Sequence, residues 1–395
     1  MLRYLPLIVG AVCLFLFLFL CLFVFLRFRA RRHGSVIAAD DPGQSPLRSS
    51  GLDLVPAARL NDEFAAPPPP ELSAALTAAR SGDWRPAAEL LAETGADWER
   101  RSLYAKILGG AAATDDGWLA AWERTRHDDP DAAVVRARAT VGLAWHLRGD
   151  PAASRSDLNP SAPRTSRQQV DGFHRTLVRS RQDIARAAAL NPSDPTPYIT
   201  EIWTALGLGY PHAEMDRLWA ELTARAPRHY EAHFSALQYW CAKWRGSDEL
   251  ARVFAARAAA DAPPGSLMSA FPLIAWFEAR LGDDVKASVY RSPELTALVD
   301  TALADAAAAP PDHPRLAELR HLLAYFLFRQ GRYDAALEQF QLVDGYRNAL
   351  PWNYYGERFY GSIREATVRR ARPVRAPGPG GRAAPAPAPD QEKPA

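Results

Sequence analysis

The chain has 395 residues, 48% of them apolar, with 47 basic and 45 acidic side chains and three cysteines. So large an apolar fraction can bury a sizeable core and excludes a disordered protein, and the near-balanced charge excludes broad attachment to phosphate backbones, which needs clustered positive charge. Cys13 and Cys21 sit in one apolar run and Cys241 lies far along the body, which excludes a disulfide framework and a CxxC metal site.

The first element runs from Leu5 to Leu26, LPLIVGAVCLFLFLFLCLFVFL, 22 residues without a charge. At about 1.5 Å of rise per residue, a helix of that length crosses the roughly 30 Å hydrocarbon core of a bilayer. The run is longer than the apolar region of a signal peptide, and no small-x-small cleavage site follows it. Instead Arg27, Arg29, Arg31 and Arg32 follow. Residues 1–33 are therefore predicted to be an uncleaved single-pass anchor with a basic flank, in contact with the lipid bilayer through residues 5–26. The positive-inside rule puts the body in the cytoplasm, at the cell membrane.

Residues 34–70 are rich in Pro and Ser and show no sustained period, so a disordered linker is expected, stiffened locally by the proline run at 67–70. Residues 366–395 read as a disordered basic, Pro-rich tail, solvated or resting on anionic headgroups through Arg369, Arg370, Arg372 and Arg375.

Between residues 71 and 365 apolar residues recur at helical spacing, in segments separated by Pro, Gly, Asn and Asp, with almost no strand signal. The fold class is all-α. A stretch at about 149–167, GDPAASRSDLNPSAPRTSR, breaks the period and is expected to be a surface loop. Helix-ending prolines recur at Pro192, Pro227 and Pro263, intervals of 35 and 36 residues.

The clearest unit is LRHLLAYFLFRQGRYDAALEQFQLV, residues 319–343. Leu323, Ala324 and Leu327 line one helix, Gly331 closes it, and Tyr333, Ala336, Phe340 and Val343 line the next. The small Ala336 lets two helices approach, and Tyr333 and Phe340 fill the groove they leave. With Ala324, these residues resemble the tetratricopeptide repeat in register. ARSGDWRPAAELL gives a shorter match through Gly82, Trp84, Ala87 and Leu91, and Ala187, Leu190 and Pro192 resemble the repeat's ending. The resemblance implies an antiparallel helix-hairpin solenoid whose concave face binds proteins or peptides. It implies a membrane-anchored, non-catalytic interaction scaffold with no cofactor, whose protein or peptide partner the sequence does not identify.

The stretch YWCAKWRGSDELARVFA, residues 239–255, crowds reactive and aromatic residues together. On helical register His233, Leu237, Trp240, Cys241 and Trp244 fall on one face. Gly246 then reads as a left-handed cap, and Ser247 with Asp248 and Glu249 as the start of a partner helix carrying Leu250, Val253, Phe254 and Ala258. Trp240 and Trp244, like Trp118 and Trp122, form an i, i+4 pair suited to filling inter-helix grooves. Cys241 on such a face is an inert small apolar residue, because a nucleophile needs a base and an electropositive setting. Lys243 and Arg245 fall off the face and are the binding-surface candidates. Lys243, Trp244, Gly246, Ser247 and Glu249 are similar to a turn of uncharacterised bacterial membrane-anchored helical-repeat proteins, and that resemblance carries no activity.

HYEAH places His229 and His233 one turn apart with Glu231 between them. Two such histidines can share a zinc ion, but a site needs a third ligand, Cys241 is about 12 Å along the helix, and HxExH is not the HExxH order of zinc peptidases. No metal is expected. No phosphate loop, nucleophile elbow or dinucleotide site is present, so an enzyme is not expected. RNA-reading repeats need a basic groove that the body lacks, so no nucleic acid is expected. The alternative is an enzyme or a small-ligand or metal-binding protein with a pocket around residues 229–254.

Overall fold

The computed structural model describes residues 54–149 and 166–371. The anchor expected at 5–26 lies outside the described residues, as do most of the 149–167 loop and the tail beyond 371. Among the described residues no helix is long and apolar enough to cross a membrane.

The described residues are all-α, with seventeen α-helices, one 3-10 turn at Ala57–Arg59 and a single isolated bridge between Asn61 and Tyr346. The first six are α1 (Pro70–Arg80), α2 (Arg85–Thr94), α3 (Trp98–Thr114), α4 (Gly117–Thr125), α5 (Pro130–Arg148) and α6 (Arg167–Leu190). The middle of the chain forms α7 (Thr196–Leu208), α8 (His212–Arg225), α9 (Tyr230–Trp240), α10 (Asp248–Ala259) and α11 (Ala270–Ala279). It ends in α12 (Ala287–Tyr290), α13 (Pro293–Ala308), α14 (Leu316–Gln330), α15 (Tyr333–Leu342), α16 (Trp352–Tyr355) and α17 (Glu357–Arg370).

Local chemistry sets the helix boundaries. The side chains of Asp97, Ser247 and Ser292 accept the third backbone N–H of α3, α10 and α13, and Ser166 with Gln169 forms a capping box on α6. Proline opens α1, α5 and α13, where its missing N–H costs no hydrogen bond. Gly331 ends α14 at φ 79°, a left-handed turn that glycine adopts without strain.

Successive helices pack as neighbours. One core joins α1 through α6, a second joins α9 through α17, and a smaller one spans α7 to α10 between them. In the 319–343 unit, Ala324, Ala336 and Phe340 are fully buried between α14 and α15. Trp84 enters α2 stacked on Trp122 of α4, ring centroids 5.7 Å apart, and Trp118 and Trp122 stack at 6.5 Å along α4. Gly109 lets α3 approach α5 closely: a Cβ there would lie 2.4 Å from Cβ of Arg138.

Part of the segment read as a linker is instead a strap that ties the two ends of the fold together. The Val55 N–H donates to Asp344 Oδ2 at 2.7 Å, that of Asn61 to the Gly345 carbonyl at 2.8 Å, and that of Asn348 to the Phe64 carbonyl at 3.1 Å. Arg364 adds a bond to the Val55 carbonyl, and His321 Nε2–H donates to the Ala65 carbonyl at 2.9 Å. The tail likewise begins later than expected, because α17 runs to Arg370 with Ala366, Thr367 and Val368 buried.

The helix hairpin read through residues 239–255 needs one correction. Helix α9 stops at Trp240, and residues 241–246 form a tight turn in which Ser247 N–H donates back to the Trp240 carbonyl at 3.1 Å. Trp244 therefore leaves the helical face and packs edge-on to Trp145 at 5.6 Å, beneath the guanidinium of Arg148. Gly246 is not left-handed. Glycine is required there because a Cβ would lie 1.9 Å from the Trp240 carbonyl oxygen.

Candidate functional site

Sequence reasoning singled out residues that the fold uses as joints. His229 caps α9: Nδ1 accepts the Ala232 N–H at 3.3 Å, and Nε2–H donates to the Trp98 carbonyl at 3.0 Å, which fixes a neutral ring. Burial pushes its pKa down to about 4. His233 donates from Nδ1 to the His229 carbonyl at 2.9 Å and packs edge-on against Trp219 at 4.9 Å. Among the described residues no three His, Cys, Asp or Glu side chains are grouped to hold a metal ion. Cys241 is buried, which pushes its thiol up to about 12 and leaves it protonated.

Lys243 pairs with Glu278 Oε2 at 2.7 Å and donates to Tyr354 Oη at 2.6 Å, a joint between the turn after α9, α11 and α16. Burial works against its charge, but Glu278 and Tyr354 hold it protonated. Arg245 is exposed, and its backbone carbonyl accepts from His212 Nε2 at 2.7 Å. Both residues therefore belong to a turn that joins neighbouring helices.

The charge cluster at the centre of the fold was not singled out by sequence reasoning. Glu231, in the first turn of α9, accepts Arg138 Nη1 of α5 at 3.0 Å and Arg315 Nη2, at the start of α14, at 2.8 Å. The three side chains are 4%, 6% and 2% exposed, so this is a buried ion triad joining both halves of the chain. Arg315 also pairs with Glu318 at 2.9 Å. Burial alone would raise the Glu231 pKa, but Arg138, Arg315 and Lys106 hold it down at about 2. Glu99, beside the cluster and bonded to the Tyr230 N–H, is pushed up by burial to about 7. A second triad, Arg101 with Asp131 at 2.6 Å and Asp194 at 2.7 Å, locks α3 to α5 and to the turn before α7. The only sequence signal for these groups is an arginine inside an apolar run, as Arg138 is, with Arg136, in AVVRARATV.

Two hollows meet at this cluster. An open cleft of about 660 Å³ lies between the strap, α3 and α14, with Pro67, Arg100, Tyr104, Arg320 and Leu342 on its walls. A smaller hollow of about 140 Å³ adjoins it, lined on its apolar side by Tyr230, Phe234, Ile274, Leu322 and Leu350 and on its polar side by Glu231 and Asn353. Lys106, Arg315, Glu318 and Asn348 line both. A third hollow of about 550 Å³ lies between α8 and α10, beside Trp219, His233, Trp240 and Phe254.

Lys106, on α3, is exposed, and among the described residues no hydrogen bond or ion pair joins its ammonium.

No protein-family model matches this chain, and neither any curated protein nor any solved structure matches it.

Proposed function

We propose that the chain is a membrane-anchored, non-catalytic scaffold of tetratricopeptide type that holds a protein or peptide partner in the cleft between its two ends. The observation that carries this reading is the 660 Å³ cleft itself, built from the strap, α3 and α14. The repeat reading is supported by the hairpin α14–α15, where Ala324, Gly331, Tyr333, Ala336 and Phe340 hold the packing positions. The absence of catalysis is supported by His229, His233 and Cys241, in and at the two ends of α9, whose imidazole and thiol groups are engaged in hydrogen bonds and packing. The anchor at 5–26 would place this cleft at the membrane, since the strap that forms one wall follows it in the chain.

Leu342 lines the cleft and is 53% exposed, whereas Val178 on α6 is 59% exposed away from it. A photo-crosslinking residue placed at Leu342 of the full chain in its native membrane is expected to give discrete protein adducts, and the same residue at Val178 none. No adduct from Leu342, or equal adducts from both positions, contradicts the scaffold.

A further inference from the structure

We propose that the outer face of α6, with the exposed stripe of α5 beside it, rests on an anionic lipid surface, its arginines on the headgroups and its valine and leucines at the acyl boundary. The proposal rests on the membrane anchor of the reading above and not on the partner cleft.

The face is built on the longest helix among the described residues. α6 has 24 residues, about 36 Å, and buries Phe173, Leu177, Ser180, Ile184 and Ala187 on its inner side. Its opposite side, with Asp171, Arg175, Val178, Arg179 and Gln182, is exposed. On α5, Thr140, Leu143 and Leu147 form a stripe at i, i+3 and i+7, and both leucines are exposed. The two ends of that stripe touch α6: the Thr140 hydroxyl donates to Asp183 Oδ2 at 2.7 Å, and Leu147 lies against Gly172. Gly172, Thr176, Arg179 and Asp183 share one flank of α6, so Arg179 stands beside the exposed leucines.

Charge and apolar exposure meet on this surface. α6 carries five arginines against two aspartates, and Asp183 is half-buried on Thr140, which leaves Asp171 as the exposed acid of the helix. Arg186 is bonded to the His127 carbonyl and Arg181 lies over the Tyr210 ring. Arg167, Arg175 and Arg179 are exposed, with no hydrogen bond or ion pair among the described residues. Eight large apolar side chains are exposed among the described residues, and four of them, Leu143, Leu147, Val170 and Val178, fall on these two helices. Val178 is the most exposed of the eight.

That combination selects a bilayer over other anionic or apolar partners. Faces that bind single-stranded nucleic acid add aromatic side chains on which bases stack, and hot spots of protein interfaces are rich in Trp and Tyr, with Leu and Val under-represented. The four exposed apolar residues here are all aliphatic. A lipid surface uses both parts of the face, since basic side chains reach the headgroups while aliphatic ones meet the acyl boundary. The cytoplasmic leaflet is the anionic one, and it is the side on which Arg27, Arg29, Arg31 and Arg32 would place the body.

Fluorescence of the full chain in lipid nanodiscs tests this. An environment-sensitive fluorescent amino acid replaces Val178, or Val289 on α12 as a control, and the lipids carry bromine on their acyl chains as quenchers. With phosphatidylglycerol in the nanodisc, the probe at Val178 is expected to be quenched and the probe at Val289 not. With phosphatidylcholine alone, or at high salt, the quenching at Val178 is expected to be lost. Arg175→Gln and Arg179→Gln are each expected to lower the ratio of docked to free body by about fivefold, the worth of one basic residue at an anionic surface, at an unchanged melting temperature, and Arg179→Lys to retain docking. The proposal is overturned if Val178 stays unquenched in an anionic nanodisc, if quenching ignores lipid charge, or if the double variant is quenched as the native chain is. Discrete protein adducts from a photo-crosslinking residue at Val178 would also overturn it, by making the face a protein-binding one. A chain that does not enter the nanodisc sinks the anchor and this proposal together, whereas an anchored chain with Val178 unquenched sinks this proposal alone.

Discussion

Replacing Glu231 by alanine is expected to lower the free energy of unfolding by about 3–5 kcal/mol, the usual cost of breaking a buried ion pair from one side. Glu231 holds Arg138 at 3.0 Å and Arg315 at 2.8 Å, and without it two guanidiniums face each other out of water. Arg315 would keep Glu318, but Arg138, whose Nε and Nη2 already lack acceptors, would be left with an uncompensated charge. Arg138→Met in the Glu231→Ala background is therefore expected to recover part of the loss, since an apolar replacement of a whole buried pair is often neutral. The effect depends on pH with a definite sign. Glu231 titrates near 4.5 when unperturbed and at about 2 in the fold, so its ionised form contributes stability fully above about pH 4.5. That contribution is lost as pH falls from about 4.5 through 2. Urea midpoints of the native chain and the variant should differ most at neutral pH and converge in acid; a constant difference would contradict the assignment.

Trp352→Ala carries the second large effect, about 3–5 kcal/mol, because Trp352 is fully buried and leaves a cavity that its neighbours cannot close. Its ring lies 5.1 Å from Tyr360 and 5.8 Å from Phe340, and its Nε1–H donates to His321 Nδ1 at 3.1 Å. His321 holds the strap by donating to the Ala65 carbonyl, and burial keeps it neutral, with a pKa of about 4. Losing Trp352 removes the donor that fixes this tautomer and so loosens the strap as well as the core. Thermal melts of Trp352→Ala and Trp352→Phe should rank with alanine clearly worse. Equal melting temperatures would mean that the hydrogen-bonded ring does not hold the C-terminal end together.

The parts of this fold that depend on near neighbours were legible in the sequence. The Ser247 cap, the helix stop at Gly331 and the buried faces of Ala324, Ala336 and Phe340 each follow from residues within about two turns. Trp244 was misplaced because its spacing continues the α9 period, whereas the helix ends where the Trp240 carbonyl turns to the Ser247 N–H. Sequence spacing cannot report that reversal. The strap was misread for a related reason: it has no period of its own, and its order comes from bonds to residues 344–348 at the other end of the chain. The central triad is long-range too, with Arg315 and Glu231 84 residues apart, and no local rule selects such partners. In the sequence Glu231 reads only as the middle of a histidine pair.

The cleft exists because the strap lies across residues 344–348 and forms one of its walls. Hydrogen exchange on the full chain tests that closure most directly, through the amides of Val55, Asn61 and Asn348, which donate to Asp344, Gly345 and Phe64. All three are expected to be protected and to open together with α14 and α17, as one cooperative unit. Exchange of Val55 and Asn61 at the rate of an unstructured peptide, while α14 stays protected, would contradict the closure and leave residues 54–69 as the free linker that their composition suggests.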